Sequence, residues 1–116
     1  MHHPPFACGI DAFDGVRVNE GGERLAEIVR AHRQVERVLC GHVHRPIHKL
    51  WAGTLASLAP STAHQAALDL RADAPMAMRM EPPGVALHLW REGHGLVSHL
   101  SAIGTWTDSR SLPAAQ

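Results

Sequence analysis

The chain has 116 residues, 45% of them hydrophobic and 19% charged, a balance that fits one globular domain or a piece of one. Eleven Lys and Arg offset eleven Asp and Glu, so the formal net charge is zero with histidine neutral. No basic excess exists to draw the chain onto a nucleic-acid backbone or an anionic membrane, and neither is expected as a partner.

The ten histidines are the compositional outlier. Imidazole ligates metals, moves protons and switches with pH, and composition alone does not choose among these. Cys8 and Cys40 are too few for a disulfide scaffold and read as reduced thiols of a cytoplasmic protein. No apolar run approaches a membrane span. The opening Met1-His2-His3-Pro4-Pro5 has neither the basic nor the apolar region of a signal peptide.

In chain order, residues 1–18 read as a loop, because Pro4 and Pro5 forbid a regular element and Gly9 and Gly15 punctuate the rest. Asn19 predicts the N-cap of a helix over residues 20–33, with Leu25, Ile28, Val29 and His32 on one stripe. Glu20 and Glu23 near its start and Arg30 and Arg33 near its end suit the helix dipole. Residues 35–40 form a short buried strand, followed by a Gly41–Pro46 loop. Residues 47–52 and 54–58 read as two strands around Gly53, and residues 64–70 as another. Residues 71–83 read as a linker, with Met76, Met78 and Met80 as a flexible lid or an irregular core contact. Residues 85–91 and 96–103 predict a hairpin turned by Glu92-Gly93-His94-Gly95. After Gly104, residues 105–116 read as a disordered tail. One early helix and several later strands predict the end of an α/β domain.

Two histidine motifs stand out, His2-His3-Pro4-Pro5 and Gly41-His42-Val43-His44. Gly41 lets the backbone turn tightly, so that His42 and His44 can straddle one point and reach two different ions. Imidazole suits Zn, Mn or Fe. Alone, a His-x-His is as readily a pair of ordinary surface or core histidines. His32, His88, His94 and His99 read as ordinary residues, His48 as an outer neighbour of the loop, and His64 stays ambiguous.

The order His-His-Pro-Pro, helix, then an apolar strand ending in Cys40-Gly41-His42-Val43-His44-Arg45-Pro46 resembles the calcineurin-like metallophosphoesterases. Within them it is most similar to the class III cyclic-nucleotide phosphodiesterase group. The resemblance continues through Gly53-Thr54, Ala59–Gln65 and Glu81-Pro82-Pro83-Gly84, to about Gly104. It implies the C-terminal half of a four-layer αββα sandwich with two divalent metal ions, Mn, Fe or Zn, at the strand ends. By motif, His2 and His42 would bind one ion and His44 the other, with His3 supporting a ligand from behind or facing substrate. The implied substrate is a small phosphodiester such as a 3′,5′-cyclic nucleotide, and a homo-oligomer is a possible assembly.

The implied site also needs Asp-x-His, Gly-Asp and Gly-Asn-His motifs. None occurs here: no Asp precedes a His by two positions, no Gly-Asp exists, and the only asparagine, Asn19, is followed by Glu20. Three neutral imidazoles supply no charge to offset the repulsion of two close divalent ions. Asp11 and Asp14 follow the first motif as possible substitutes or as ordinary turn carboxylates. Phosphodiester hydrolysis is therefore expected of a parent enzyme, with this chain weakly active or inactive alone. The alternatives are a non-catalytic module that binds metal or a partner, and an unrelated metal protein that would favour a soft ion through Cys8 and Cys40.

Overall fold

The computed structural model describes residues 1–107. Of the stretch expected to be a disordered tail, residues 108–116 lie outside the described residues. The architecture is α/β, with strands dominating: α1 (Asp11–Asp14), α2 (Gly22–Ala31), β1 (Arg37–Cys40), β2 (Ile47–Trp51), β3 (Thr54–Leu58), β4 (Gln65–Ala66), β5 (Met78–Arg79), β6 (Gly84–Arg91) and β7 (Gly95–Ala102).

Residues 1–18 are not all loop, since α1 makes one turn and buries Phe13. The predicted helix is shorter at both ends. Gly21, not Asn19, is its N-cap, in a left-handed conformation at φ +76°. That backbone is cheap only for glycine, so the chain enters the helix there, and the Asn19 amide instead donates to the Gly15 carbonyl. The buried stripe runs through Gly22, Ala26 and Val29, whereas Ile28 and His32 are exposed.

The three-stranded sheet has the order β1-β3-β2, with β3 parallel to β1 and antiparallel to β2. β3 is central, and Thr54, Ala56, Ser57 and Leu58 on it are buried. Ala52 and Gly53 both have positive φ, the two-residue turn whose twist matches a hairpin, and Trp51 pairs with Thr54 across it. The core gathers Phe6, Ile10, Phe13, Cys40, Val43, Ala56, Leu58 and Ala66. Those residues come from the N-terminal loop, α1, the sheet, the loop after β1 and β4, so the Pro-Pro segment is packed structure and not a loose lead-in.

Two expectations shift further along. The strand expected at 64–70 shrinks to β4, and its partner β5 lies inside the stretch read as a linker. Met76, Met78 and Met80 on that stretch are exposed. A bidentate Arg45–Glu81 ion pair at 2.8 Å ties it to the loop after β1.

The β6–β7 hairpin forms in register from Gly84↔Ala102 to Arg91↔Gly95. Glu36, just before β1, holds it by accepting hydrogen bonds from Trp90 Nε1 (2.9 Å) and the Leu96 N–H (2.7 Å). Arg37 adds a hydrogen bond to Ser98 Oγ. The alternating Val85, Leu87 and Leu89 face outward, and each is more than a third exposed. Alternation in sequence marked a two-faced strand correctly, but among the described residues nothing covers the apolar face.

The sheet centre sets the stability. Leu58, 1% exposed, reduced to alanine is expected to cost about 2–5 kcal/mol in urea denaturation. The same change at Leu50, 77% exposed one strand away, is expected to stay within about 0.5 kcal/mol.

Candidate metal centre

The site begins as backbone geometry. The Met1 nitrogen donates to the Leu39 carbonyl at 2.9 Å, and the Gly41 N–H donates to the His2 carbonyl at 3.0 Å. The first two residues thus lie along β1 and bring two motifs forty residues apart to the same strand end. Gly41 packs directly on the His2 imidazole, where an added Cβ would stand 3.4 Å from Nδ1.

Beyond Gly41 the loop is anchored by Val43, which is fully buried. The Val43 N–H donates to the Gly41 carbonyl at 2.8 Å, closing a three-residue turn around His42, whose φ is +70°. A γ-turn with positive φ is the rarer, strained form. His44 also has positive φ, +54°, and its carbonyl accepts from the Ala66 N–H at 3.2 Å. Histidine tolerates this backbone better than a β-branched residue, yet each such residue costs on the order of 1–3 kcal/mol. The burial of Val43 offsets that cost and turns the two histidines to different neighbours.

His42 faces His2 and His3. Its Nδ1 lies 3.2 Å from His2 Nε2, close enough that one of the two nitrogens carries a shared proton. The His3 ring stacks on His42 with centroids 4.0 Å apart. One ring nitrogen from each of His2, His3 and His42 lies within 4.8 Å of the others. Burial lowers the His42 pKa, and the nearby His3, His2 and His44 lower it further. Its neutral form, the one that ligates a metal, is therefore favoured.

His44 stands outside this group and turns to His64, with ring centroids 5.0 Å apart. Its Nδ1 is buried and has no hydrogen-bond partner among the described residues. His64, ambiguous in sequence, is fixed beside it by the next residue. The Gln65 side chain is buried and clasps Ser61 twice, accepting from its N–H at 3.0 Å and donating to its carbonyl at 2.7 Å. His48, expected near the loop, instead shares a hydrogen bond with Ser57 Oγ at 3.1 Å across the sheet. His88 bonds Ser98 Oγ and His94 its own turn, the structural roles expected of them.

No carboxylate joins the imidazole group among the described residues. Asp14 is committed to the loop, where its two oxygens accept from the N–H groups of Cys8 (2.6 Å) and Gly9 (3.1 Å). Burial opposes its ionisation, but those hydrogen bonds win and hold its pKa below the usual range. Asp11 is exposed at the start of α1. The cysteines also stand apart from the group. Burial, then the neighbouring Asp14, pushes the Cys8 thiol up to about 11. The donor set present is thus three imidazoles, which fits a single divalent ion of the Zn, Mn or Fe kind.

Two outcomes are expected. His42→Gly should be more stable than His42→Ala by about 1 kcal/mol in urea with chelator present, because only glycine is at ease at φ +70°. Cys8 should react slowly with a thiol reagent near pH 8, with a rate that keeps rising towards pH 11, since only the thiolate attacks.

No protein-family model matches the chain. Over 104 residues it is 46% identical to a protein of Arcobacter nitrofigilis named as a probable glycerophosphodiester phosphodiesterase, GpdQ, a match covering 90% of this chain and 38% of that protein. Over 99 residues it is 35% identical to a probable cyclic nucleotide phosphodiesterase of Rhodopseudomonas palustris, covering 85% of this chain and 35% of the relative. A probable cyclic nucleotide phosphodiesterase of a Synechococcus species is 40% identical over 45 residues, 39% of this chain and 17% of the relative. The chain therefore spans little more than a third of the length of the first two relatives. With the Gly41–Pro46 loop and the His2-His3-Pro4-Pro5 segment meeting at one strand end, these likenesses support a metallophosphoesterase of the group that holds glycerophosphodiester and cyclic-nucleotide phosphodiesterases, matched over the C-terminal portion.

Proposed function

We propose that this chain carries the histidine side of a two-metal centre that hydrolyses a small phosphodiester, a 3′,5′-cyclic nucleotide or a glycerophosphodiester. The observation that carries the reading is the meeting of His2 and His42, whose ring nitrogens lie 3.2 Å apart although forty residues separate them. The printed names of the relatives support the phosphodiester class. His2 and His42 would hold one ion and His44 the other, with Mn, Fe or Zn as the metal. When bound, such ions supply Lewis acidity towards phosphoryl oxygens.

The chain's own residues supply position. The Gly41–His2 hydrogen bond sets the level of His2 against His42, and the buried Val43 holds both loop histidines in their directions. His64 stands beside His44 on a loop braced by Gln65, where an imidazole can meet a substrate oxygen or a proton in transit. The outward apolar face of β6–β7 fits half of a four-layer sandwich, in which a second sheet would bury it. The unbridged Cys8 and Cys40 support a cytoplasmic setting.

A second reading is favoured by one observation. The imidazole group holds no carboxylate among the described residues, so the chain by itself is a metal-binding module without hydrolysis.

A graft tests both readings. This chain, replacing the matching portion of the 46% identical Arcobacter nitrofigilis relative, is expected to support manganese-dependent hydrolysis of bis(p-nitrophenyl) phosphate. His42→Ala or His44→Ala in that graft is expected to lower the rate by about 100-fold or more. The 116-residue chain alone is expected to hydrolyse the same diester no faster than its own His42→Ala variant. A folded, metal-loaded graft without activity would remove the hydrolytic reading and leave the module.

A further inference from the structure

We propose that the cleft between the three-stranded sheet and the β6–β7 hairpin binds a small monocarboxylate with an apolar body, its head group held by Arg37. The imidazole group of the metal centre takes no part in this site, which does not rest on the phosphodiester reading.

The cleft follows from strand register. Directly paired residues share a face of a sheet, and neighbours along a strand alternate. Val38, Cys40, Ala56 and Leu58 face the core. Their neighbours Arg37, Leu39, Leu55 and Ser57 face the other way, joined by His48, which pairs with Ser57. In the hairpin, Ala86, His88, Ser98 and Leu100 share one face by the same rule, opposite to the outward Val85, Leu87 and Leu89. These two faces line a cleft of about 730 Å³. Sites for small organic molecules run from about 300 to 1,000 Å³.

The chemistry of the cleft calls for a ligand with one charged end. Arg37 bridges the two walls by donating to Ser98 Oγ. Its Nε–H is buried and has no acceptor among the described residues. A buried guanidinium N–H left without an acceptor is costly, and a carboxylate oxygen would satisfy it through a charge-assisted bond. Among the described residues no Asp or Glu lines the cleft. Glu36, next to Arg37 in sequence, accepts instead from the Trp90 indole and the Leu96 N–H. The single guanidinium charge matches a monoanion, whereas a phosphate monoester would bring a second negative charge without a fixed partner.

The rest of the lining calls for an apolar body. Each wall carries one cross-strand Ser–His pair, Ser57 Oγ with His48 Nδ1 at 3.1 Å and Ser98 Oγ with His88 Nδ1 at 2.7 Å. These groups partner one another, and the Arg37 Nε–H is left as the donor in need of a ligand. Around them stand Leu39, Leu55, Leu96 and Leu100. Leu39 is 37% and Leu100 51% exposed, apolar surface that a hydrocarbon body would take out of water.

The test is calorimetric titration of the whole 116-residue chain with octanoate, with chelator present so that no ion at the imidazole group takes the carboxylate. One octanoate is expected to bind per chain. Octanol, which has a similar tail and no charge, and acetate, which has the charge and almost no tail, are each expected to bind at least about 10-fold more weakly. Arg37→Gln is expected to weaken octanoate binding by at least about 10-fold. In the unsubstituted chain, saturating octanoate is expected to shift the Arg37 Nε–H NMR signal, a readout that a folding defect in the variant leaves intact. Absence of octanoate binding, octanol or acetate binding as tightly, or an Arg37 Nε–H signal that stays in place at saturation would each overturn the proposal. Unchanged octanoate affinity in a folded Arg37→Gln chain would overturn it too.

Discussion

Everything in the site depends on one backbone hydrogen bond, from the Gly41 N–H to the His2 carbonyl. It fixes the first histidine motif to the end of β1 and makes neighbours of residues that the sequence holds far apart. The Met1–Leu39 bond continues the contact along the strand, and Val18 N–H to Pro4 carbonyl holds the far end of the Pro-Pro turn. Between these ties the segment has little freedom left, because each proline already fixes its own φ. Phe6, Ile10 and Phe13 then anchor it from below by burial. The histidines at the surface are thus carried by a frame whose energy lies in the core.

The second constraint is strain. Positive φ at both His42 and His44 works against folding, and a fully buried Val43 works for it. Burying a valine side chain is worth about 1.5–3 kcal/mol, of the same order as one strained residue. The loop holds its shape because the valine, flanking hydrogen bonds and the Arg45–Glu81 pair act together. Such a loop serves placement at the expense of stability, a pattern that recurs where side chains must be aimed.

Much of this was legible in the sequence for identifiable reasons. Local signals read well: the turn at Gly53, the strands on either side of it, and the β6–β7 hairpin each follow from residues within a few positions, though Ala52, read as strand, belongs to the turn. The two histidine motifs were visible too, because glycine and proline flank them. What failed was long-range. Asn19 looked like a helix cap, but the Gly21-Gly22 pair offered a cheaper entry two residues later. The β5 strand was hidden in a proline-rich stretch because its partner among the described residues, β4, is two residues long. The roles of His3 and His64 were unreadable because they depend on Val16 and His44, neighbours in space only. Asp14 could be judged only once its two N–H partners were seen.

The electrostatic balance then separates what this chain holds from what a two-metal centre would require. Burial and three neighbouring rings favour neutral His42. That readies it to ligate, but neutral ligands leave the charge of any ion uncompensated. One dication can share its charge among three imidazoles and solvent. A second one a few Å away cannot be held by the same means, since their repulsion in a partly desolvated site amounts to several kcal/mol. Asp14, in the loop after the first motif, is committed to Cys8 and Gly9, and freeing it would strand two N–H groups. Charge for a two-metal centre therefore has to come from residues other than these. His44, whose buried Nδ1 has no hydrogen-bond partner among the described residues, lies apart from the His2–His3–His42 group, so the loop turns its two histidines into different surroundings.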